Sequence, residues 1–356
     1  MHSPLVSVII VNYNGKHYLE RCLRAVLNAD YPNKEVIVVD NGSSDGSIEM
    51  IKNLFGNNSY IKIIQNEKNF GPAYARNAGI KIAKGKYIAF LDNDTEPEPI
   101  WLNEPLKVME NDKTVGACQC KLLLMDDHRR LDYVGDYLSQ YGFLIQRVDG
   151  GELDNGQADT PDEILSAKSA AMVIRHDVLD EIGGFDEDYF IYLEETDLGW
   201  RVWLKGFRII FVPESRVYHA FGTTQKILPK QQNYLVKFHG TKNYITTLIK
   251  NLGTKNLLKI LPLHIALWIG MAGWFGIKRQ TNDSWFIIKG IFWNVVNLKM
   301  VWKKRRIVQK MRVVSDEDIM HKIMKKKSLN YFYSKLATPH KIGNTEGFYR
   351  PKEEIK

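Results

Sequence analysis

The chain has 356 residues, 44% of them hydrophobic and 25% charged, with a formal net charge of +8. That length can bury a sizeable core in one large or two ordinary domains, and the composition is that of a soluble globular protein. Cys22, Cys118 and Cys120 are an odd, sparse set without metal-ligand spacing, which argues against a disulfide framework or a zinc site. The charge is unevenly placed: residues 1–225 carry 23 Lys and Arg against 34 Asp and Glu, a net −11, and residues 226–356 carry 26 against 7, a net +19. An acidic front and a basic back suggest two parts with different partners, and a basic tail can meet anionic lipid, nucleic acid or an acidic substrate.

Strands are expected over residues 6–12, 35–40, 60–65 and 86–91, where β-branched and aromatic residues run together, with helices over 17–28, 47–55 and 72–84 between them. The alternation predicts βαβ units and a mainly parallel sheet. The 6–11 run lacks the basic flank and cleavage site of a signal peptide, so a cytoplasmic setting is expected. Gly-bearing turns, Asn12-Tyr13-Asn14-Gly15 and Asp40-Asn41-Gly42-Ser43-Ser44-Asp45-Gly46, follow the first two strands, where the ligand crevice of an open α/β sheet forms. Residues 126–163 read as loops. Order returns with a strand over 170–174, a helix over 176–182 closed by Gly183-Gly184, a helix over 194–205, and a strand over 207–212 ending at Pro213.

Four acidic or polar stations fall beside these elements. Asp92-Asn93-Asp94 ends the fourth strand, and Asp-x-Asp there offers hard oxygen ligands to a divalent cation that can bridge to phosphates. Asp40 ends the second strand. Glu194, Glu195 and Asp197 open a helix, where acids also suit the dipole. His219 follows the last strand. Taken singly, each has a plainer reading: Asp40 as the cap of its turn, Arg76 as a solvated helix charge, Asp197 and Arg201 as an i, i+4 pair, His219 as a structural histidine. A metal cradle with a separate carboxylate pair is what sugar transfer from a nucleotide diphosphate needs, the cation taking charge from the leaving group and the carboxylate taking the acceptor's proton.

Seven segments stand in the order of a known family: Val8-Ile9-Ile10-Val11-Asn12-Tyr13-Asn14-Gly15, Val38-Val39-Asp40-Asn41-Gly42-Ser43-Ser44-Asp45-Gly46, Asn69-Phe70-Gly71-Pro72-Ala73-Tyr74-Ala75-Arg76-Asn77-Ala78-Gly79, Phe90-Leu91-Asp92-Asn93-Asp94, Gly183-Gly184-Phe185-Asp186-Glu187, Glu194-Glu195-Thr196-Asp197-Leu198-Gly199-Trp200-Arg201 and Val217-Tyr218-His219. Over residues 5–224 the chain resembles the family-2 glycosyltransferases of GT-A fold, including rhamnosyltransferase-like enzymes of cell-surface polysaccharide assembly. The resemblance implies an α/β fold with a Rossmann-like, mainly parallel central sheet. It implies an inverting, metal-dependent transfer of sugar from a nucleotide-diphosphate donor to a glycan acceptor. Asn12, Asn14, Asp40 and Asn93 would lie against the donor, with Arg76 and Asn77 bracing it. Asp92, Asp94 and His219 would hold Mg²⁺ or Mn²⁺, and Glu195 would be the general base. The family commonly has Glu-Asp where this chain has Glu194-Glu195, which leaves the choice between the two glutamates open.

After about residue 225 the character changes. Residues 257–277 are mostly apolar but hold Lys259, Pro262 and His264, and residues 285–301 are aromatic-rich and followed by Lys303-Lys304-Arg305-Arg306. An interfacial or re-entrant helix pair is expected, with Trp268, Trp274, Trp285, Trp293 and Trp302 at headgroup level and the basic clusters on anionic lipid. The competing reading is a soluble helical subdomain. On this view the catalytic domain is 1–225, the helical extension is 226–356, and the enzyme is peripheral at the inner face of the cytoplasmic membrane, using a lipid-linked oligosaccharide. The rival classes are a nucleotidyltransferase, for which the first turn lacks a basic triphosphate-binding loop, and a nucleic-acid-binding protein, for which the tail's apolar runs are unsuited. No nucleic acid partner is expected.

Overall fold

A computed structural model describes residues 3–56, 58–220 and 234–332. The expected alternation is present as β1 (Val6–Asn12), α1 (Lys16–Leu27), β2 (Lys34–Asp40), α2 (Ser47–Phe55), β3 (Ile61–Gln65), α3 (Pro72–Ile82) and β4 (Tyr87–Asp92). There follow β5 (Thr95–Pro97), α4 (Asn103–Asn111), β6 (Val115–Leu124), four short strands β7 (Leu131–Tyr133), β8 (Asp136–Ser139), β9 (Leu144–Gln146) and β10 (Asp162–Glu163), then β11 (Ala171–Arg175), α5 (His176–Ile182), α6 (Glu194–Leu204) and β12 (Arg208–His219). The main sheet has the order β10-β12-β6-β11-β4-β1-β2-β3. β1, β2, β3 and β4 are parallel, β11 is antiparallel to both β4 and β6, and β6 is parallel to β12.

The central strands are buried on both faces, which is why they read as unbroken apolar runs. In β1 the side chains alternate. Val6, Val8 and Ile10 belong to the apolar cluster that takes in α1, α2 and α4, whereas Ile9 belongs to the one that takes in α3, α5, α6 and the C-terminal helices. The sheet is thus covered on both sides, as a βαβ fold requires.

The last strand differs from expectation. It does not stop at Pro213 but runs to His219, because a register shift between Val212 and Arg216 takes the proline out of the ladder. Proline has no N–H to give, and a bulge is where a strand tolerates it. The consequence is that His219 lies on a strand end, paired with Thr95 and Leu124. The Gly-rich stretch before β10 is tied down by the wholly buried Lys121, whose Nζ lies 2.8 Å from Asp154 and 2.6 Å from Asp159.

The proposed boundary near residue 225 falls in residues 221–233, outside the described residues. From Tyr234 the chain forms a π turn (Tyr234–His239) and the helices Gly240–Asn251, Thr254–Ile277, Thr281–Val296, Leu298–Met311 and Asp316–Ile323. Their buried apolar residues belong to the same cluster as one face of the sheet. A final short strand, Met324–Lys325, pairs with β8. Helix Thr254–Ile277 is long and apolar enough to cross a membrane by length and composition. Yet it buries one stripe, Leu257, Ile260, His264, Trp268 and Ala272, against the core, where Trp268 meets Phe143 and Tyr244. Trp268 is therefore a core residue and not a headgroup-level one. The basic cluster also divides. Lys303 and Arg306 face outward, while Lys304 binds Asp186 and Asp188, and Arg305 is buried and donates to the carbonyls of Ile249 and Leu252.

Candidate active site

Register alone brings the first groups together. Asn12 pairs with Asp40, and Val11 with Asp92, so three neighbouring parallel strands end in polar side chains at one edge of the sheet. This is the carboxyl edge, where open α/β sheets bind ligands.

One cluster shapes the crevice at β1 and β2. Asn12 Nδ2 donates to Asp40 Oδ1 (2.8 Å) and Ser43 Oγ (3.1 Å), and Asn12 Oδ1 accepts from Asn93 Nδ2 (2.7 Å). The Ser43 N–H donates to Asp40 Oδ2 (2.9 Å). Asn14, at φ 50°, donates its N–H to Ser43 Oγ (2.8 Å) and accepts the Ser44 N–H at Oδ1 (2.8 Å). Asn93 lies so close over Gly15 that a Cβ there would sit 1.7 Å from its Nδ2. Asp40 is 2% exposed with both oxygens engaged, so what it does here is hold the turn.

The second cluster is a group of side chains that could hold a cation. Asp92, Asp94 and His219 each offer one ligand atom, and these atoms lie within 4.8 Å of one another. His219 Nε2 is 3.5 Å from Asp94 Oδ1, and its Nδ1 is 2.7 Å from Asp132 Oδ2. A buried carboxylate behind an imidazole sets its tautomer and aims the other nitrogen, a recurrent arrangement behind metal-binding histidines. Burial pulls the His219 pKa down, but Asp94 and Asp132 outweigh it and hold it well above the usual range. Burial, with Asp94 adding, raises Asp92 despite Arg76. Two carboxylates and an imidazole of this spacing fit a hard divalent cation that keeps further positions for phosphate oxygens.

The third cluster joins Asp92 to the two glutamates of α6. The Arg76 guanidinium is buried and reaches Glu194 Oε1 (Nη1, 2.9 Å), Asp92 Oδ1 (Nη2, 3.1 Å) and Glu195 Oε1 (Nη2, 3.6 Å). Burial opposes its charge and the three carboxylates restore it, so the Arg76 pKa is raised. Arg76 was expected to brace the donor. It instead lies beneath the site as a buried bridge, because α3 directs it under the end of β4. The Asn77 amide binds the Phe185 N–H and carbonyl and Glu187 Oε1, so it pins the segment before α6. Gly184 has no Cβ because one would lie 2.4 Å from Asn77 Oδ1.

The two glutamates are now distinct. Glu194 is buried against Arg76, and burial with the neighbouring Glu195 pushes its pKa up to about 7 against the pull of Arg76. Glu195 is more open, with 16% of its side chain exposed, and its Oε1 accepts the Ser169 N–H at 2.6 Å. Both begin α6 directly after a strained stretch. Phe190, Tyr192 and Leu193 have φ of 62°, 69° and 62°, and each residue in so sparsely populated a region costs on the order of 1–3 kcal/mol. Asp132 and Ser169 were not found from sequence. Asp132 lies on a three-residue strand in an irregular region, and Ser169 contributes through its backbone, which no residue type announces.

Comparison with known proteins bears on this arrangement. A model of "Glycosyl transferase family 2" matches residues 7–155, and one of "Glycosyl transferase family group 2" matches residues 87–298, more than half of the chain. The chain belongs to the family-2 glycosyltransferases. An uncharacterized glycosyltransferase of Haemophilus influenzae is 44% identical over 94 residues, covering 26% of this chain and 38% of that protein. A putative teichuronic acid biosynthesis glycosyltransferase of Bacillus subtilis is 37% identical over 106 residues, covering 30% and 42%. The chain thus spans less than half the length of either relative. The mannosyltransferase of Pyrobaculum calidifontis, solved with GDP-Man and Mn²⁺, superimposes with a TM-score of 0.52 at 17% identity over 83% of this chain and 88% of that one. That likeness establishes the GT-A fold for this family-2 member, whose sheet is the mainly parallel one expected.

Proposed function

We propose that the chain is an inverting, divalent-cation-dependent glycosyltransferase. It moves one sugar from a nucleotide-diphosphate donor to a hydroxyl of a glycan acceptor in cell-surface polysaccharide assembly. The observation that carries this is the cluster of Asp92, Asp94 and His219 at the carboxyl edge of the sheet, with Asp92 and Glu195 both held by one buried arginine. The relatives' names, the teichuronic acid enzyme among them, support the substrate class.

Asp92, Asp94 and His219 would hold Mg²⁺ or Mn²⁺, which supplies positive charge to the leaving diphosphate. The Asn12, Asn14, Asp40 and Asn93 turns form the wall beside it, where the nucleoside lies. Glu195 takes the proton of the acceptor hydroxyl as its oxygen bonds to the anomeric carbon. The bond from that carbon to the diphosphate oxygen breaks in the same displacement, and the electron pair leaves with the diphosphate. A single base suits inversion in one step. Arg76 is a positioning residue that keeps Asp92 and Glu195 at fixed separation.

A thermal-shift screen against nucleotide sugars, with and without Mn²⁺, tests the reading. Binding at about 100 times Kd stabilises by about 2.7 kcal/mol, so one donor should raise the melting temperature only when Mn²⁺ is present. No shift with any donor would sink the proposal.

We place residues 226–356 at an anionic membrane surface on the cytoplasmic side, beside a lipid-linked acceptor. The helix pair Thr254–Ile277 and Thr281–Val296 turns Leu258, Ile269, Ile277, Trp285, Phe292 and Val296 outward, a larger apolar face than solvent favours. Lys278 and Arg279 are exposed in the turn between these two helices, and Lys303 and Arg306 are exposed on the following helix, Leu298–Met311. Each such basic group adds ~1 kcal/mol near anionic lipid. Trp285→Glu with Phe292→Glu is expected to lower partition onto phosphatidylglycerol vesicles by about tenfold or more. Equal co-sedimentation of variant and wild type would place the contact elsewhere.

A further inference from the structure

We infer that helix Gly240–Asn251, through Asn243 and Lys250, is the buttress that positions the Glu195 carboxylate, so that the C-terminal extension is part of the catalytic machinery's scaffold; this rests on the glycosyltransfer reading above.

The segment entering α6 is held by side chains of that helix. Asn243 is fully buried, and its single Nδ2 faces three carbonyls, those of Tyr189 (3.1 Å), Ile191 (2.8 Å) and Tyr192 (2.8 Å). These are the carbonyls of the stretch whose Phe190, Tyr192 and Leu193 occupy the left-handed region. Residues with a Cβ stay there only where surrounding contacts over-determine the backbone. One turn on, Thr247 Oγ1 is 2.7 Å from the Tyr189 hydroxyl. Two turns on, Lys250 Nζ lies between Asp186 (2.6 Å) and Asp197 (2.8 Å), which flank the strained stretch. Asn251 Nδ2 adds a bond to Asp197 (2.9 Å). Asn243, Thr247, Lys250 and Asn251 share one face of the helix and are all buried.

A buried helix face is ordinarily apolar. A polar one, matched group for group to residues 186–197, fixes geometry in a way that apolar contact does not. What it fixes is the direction in which α6 starts, and Glu194 and Glu195 are its first two residues. The donor cluster does not pass through this contact. Asn12, Asp92, Asp94 and His219 come from strand ends and turns of the sheet. Asp92 meets Glu194 and Glu195 only through Arg76, which is anchored on α3, so loosening the buttress displaces the start of α6 first and disturbs the donor cluster less.

The test uses the full chain with Asn243→Ala. The Ala variant is expected to lower kcat by about a hundredfold, as for a misplacement near 1 Å, with donor KM and Mn²⁺-dependent donor binding unchanged. Amides of residues 189–195 should exchange faster in deuterium-exchange mass spectrometry. Asn243→Ser, which keeps one donor, should fall between, and it carries the test should the Ala variant not fold. Unchanged exchange over 189–195, or faster exchange with unchanged kcat, would overturn the inference. So would parallel loss of kcat and donor affinity. A wild-type chain that transfers no sugar strikes the glycosyltransfer reading instead, and the exchange data still decide whether Asn243 holds the segment.

Discussion

Glu195→Gln is expected to leave nucleotide-sugar binding intact and to lower kcat by about 10²- to 10⁴-fold, the usual contribution of a general base. The substitution keeps the shape of the side chain and an oxygen able to accept the Ser169 N–H, which now lies at 2.6 Å. It removes the ability to take a proton. On the proposed reading donor affinity rests on Asp92, Asp94 and His219, and none of their contacts changes directly, although Arg76 loses one of its three carboxylate partners at 3.6 Å. Calorimetry with the donor, paired with a transfer assay, checks both halves. Full transfer by the variant would move the base to Glu194, which is buried against Arg76 and less open to an acceptor.

The second large effect is on the cradle. Asp94→Ala removes one of three clustered ligands and leaves His219 without one of its two carboxylate neighbours, so Mn²⁺-dependent donor binding should vanish. Asp132→Asn is the graded companion. It keeps all three ligands but alters the group 2.7 Å behind His219, and such changes weaken metal binding by about 10–100-fold. The two variants should rank in that order in the thermal shift produced by donor and Mn²⁺. Tight, metal-independent donor binding by Asp94→Ala would show that the cation, if any, sits elsewhere.

Much of this site is legible in the chain because local rules suffice. The strands from β1 to β4 are short apolar runs between Gly-bearing turns, and parallel pairing sends their ends to one edge. Asp92 and Asp94 could be placed at that edge from two residues of spacing. Arg76 and Asn77 could be assigned to the donor side only by resemblance, and their partners within the chain could not be read. They are neighbours on α3, yet one turns under β4 and the other towards Phe185, and spacing does not say what awaits each. The strand to His219 was cut short at Pro213, since a proline usually ends a strand and only the partner strand reveals a bulge.

The charge division shows the same limit. A net −11 before residue 226 and +19 after it pointed to separate external partners. Part of that charge is instead mutual: Lys250 and Lys304 meet Asp186, and Lys250 meets Asp197. Burial opposes the ionised form of Asp186, but Lys250 and Lys304 outweigh it and hold its pKa below the ordinary carboxylate range. Lys304 and Arg305 turn inward while Lys303 and Arg306 turn outward. A four-residue basic run covers a whole helical turn, so it cannot face one way.

By itself the sequence determined the family, the alternating βαβ order and the acidic stations at strand and helix ends, because each rests on residues close together in the chain. Only the tertiary structure decided which glutamate is the more open, that Asp132 stands behind His219, and that Asn243 binds the carbonyls at the entry to α6. Those are contacts between residues tens to more than a hundred positions apart, and their specificity comes from burial and hydrogen-bond geometry that local pattern does not encode.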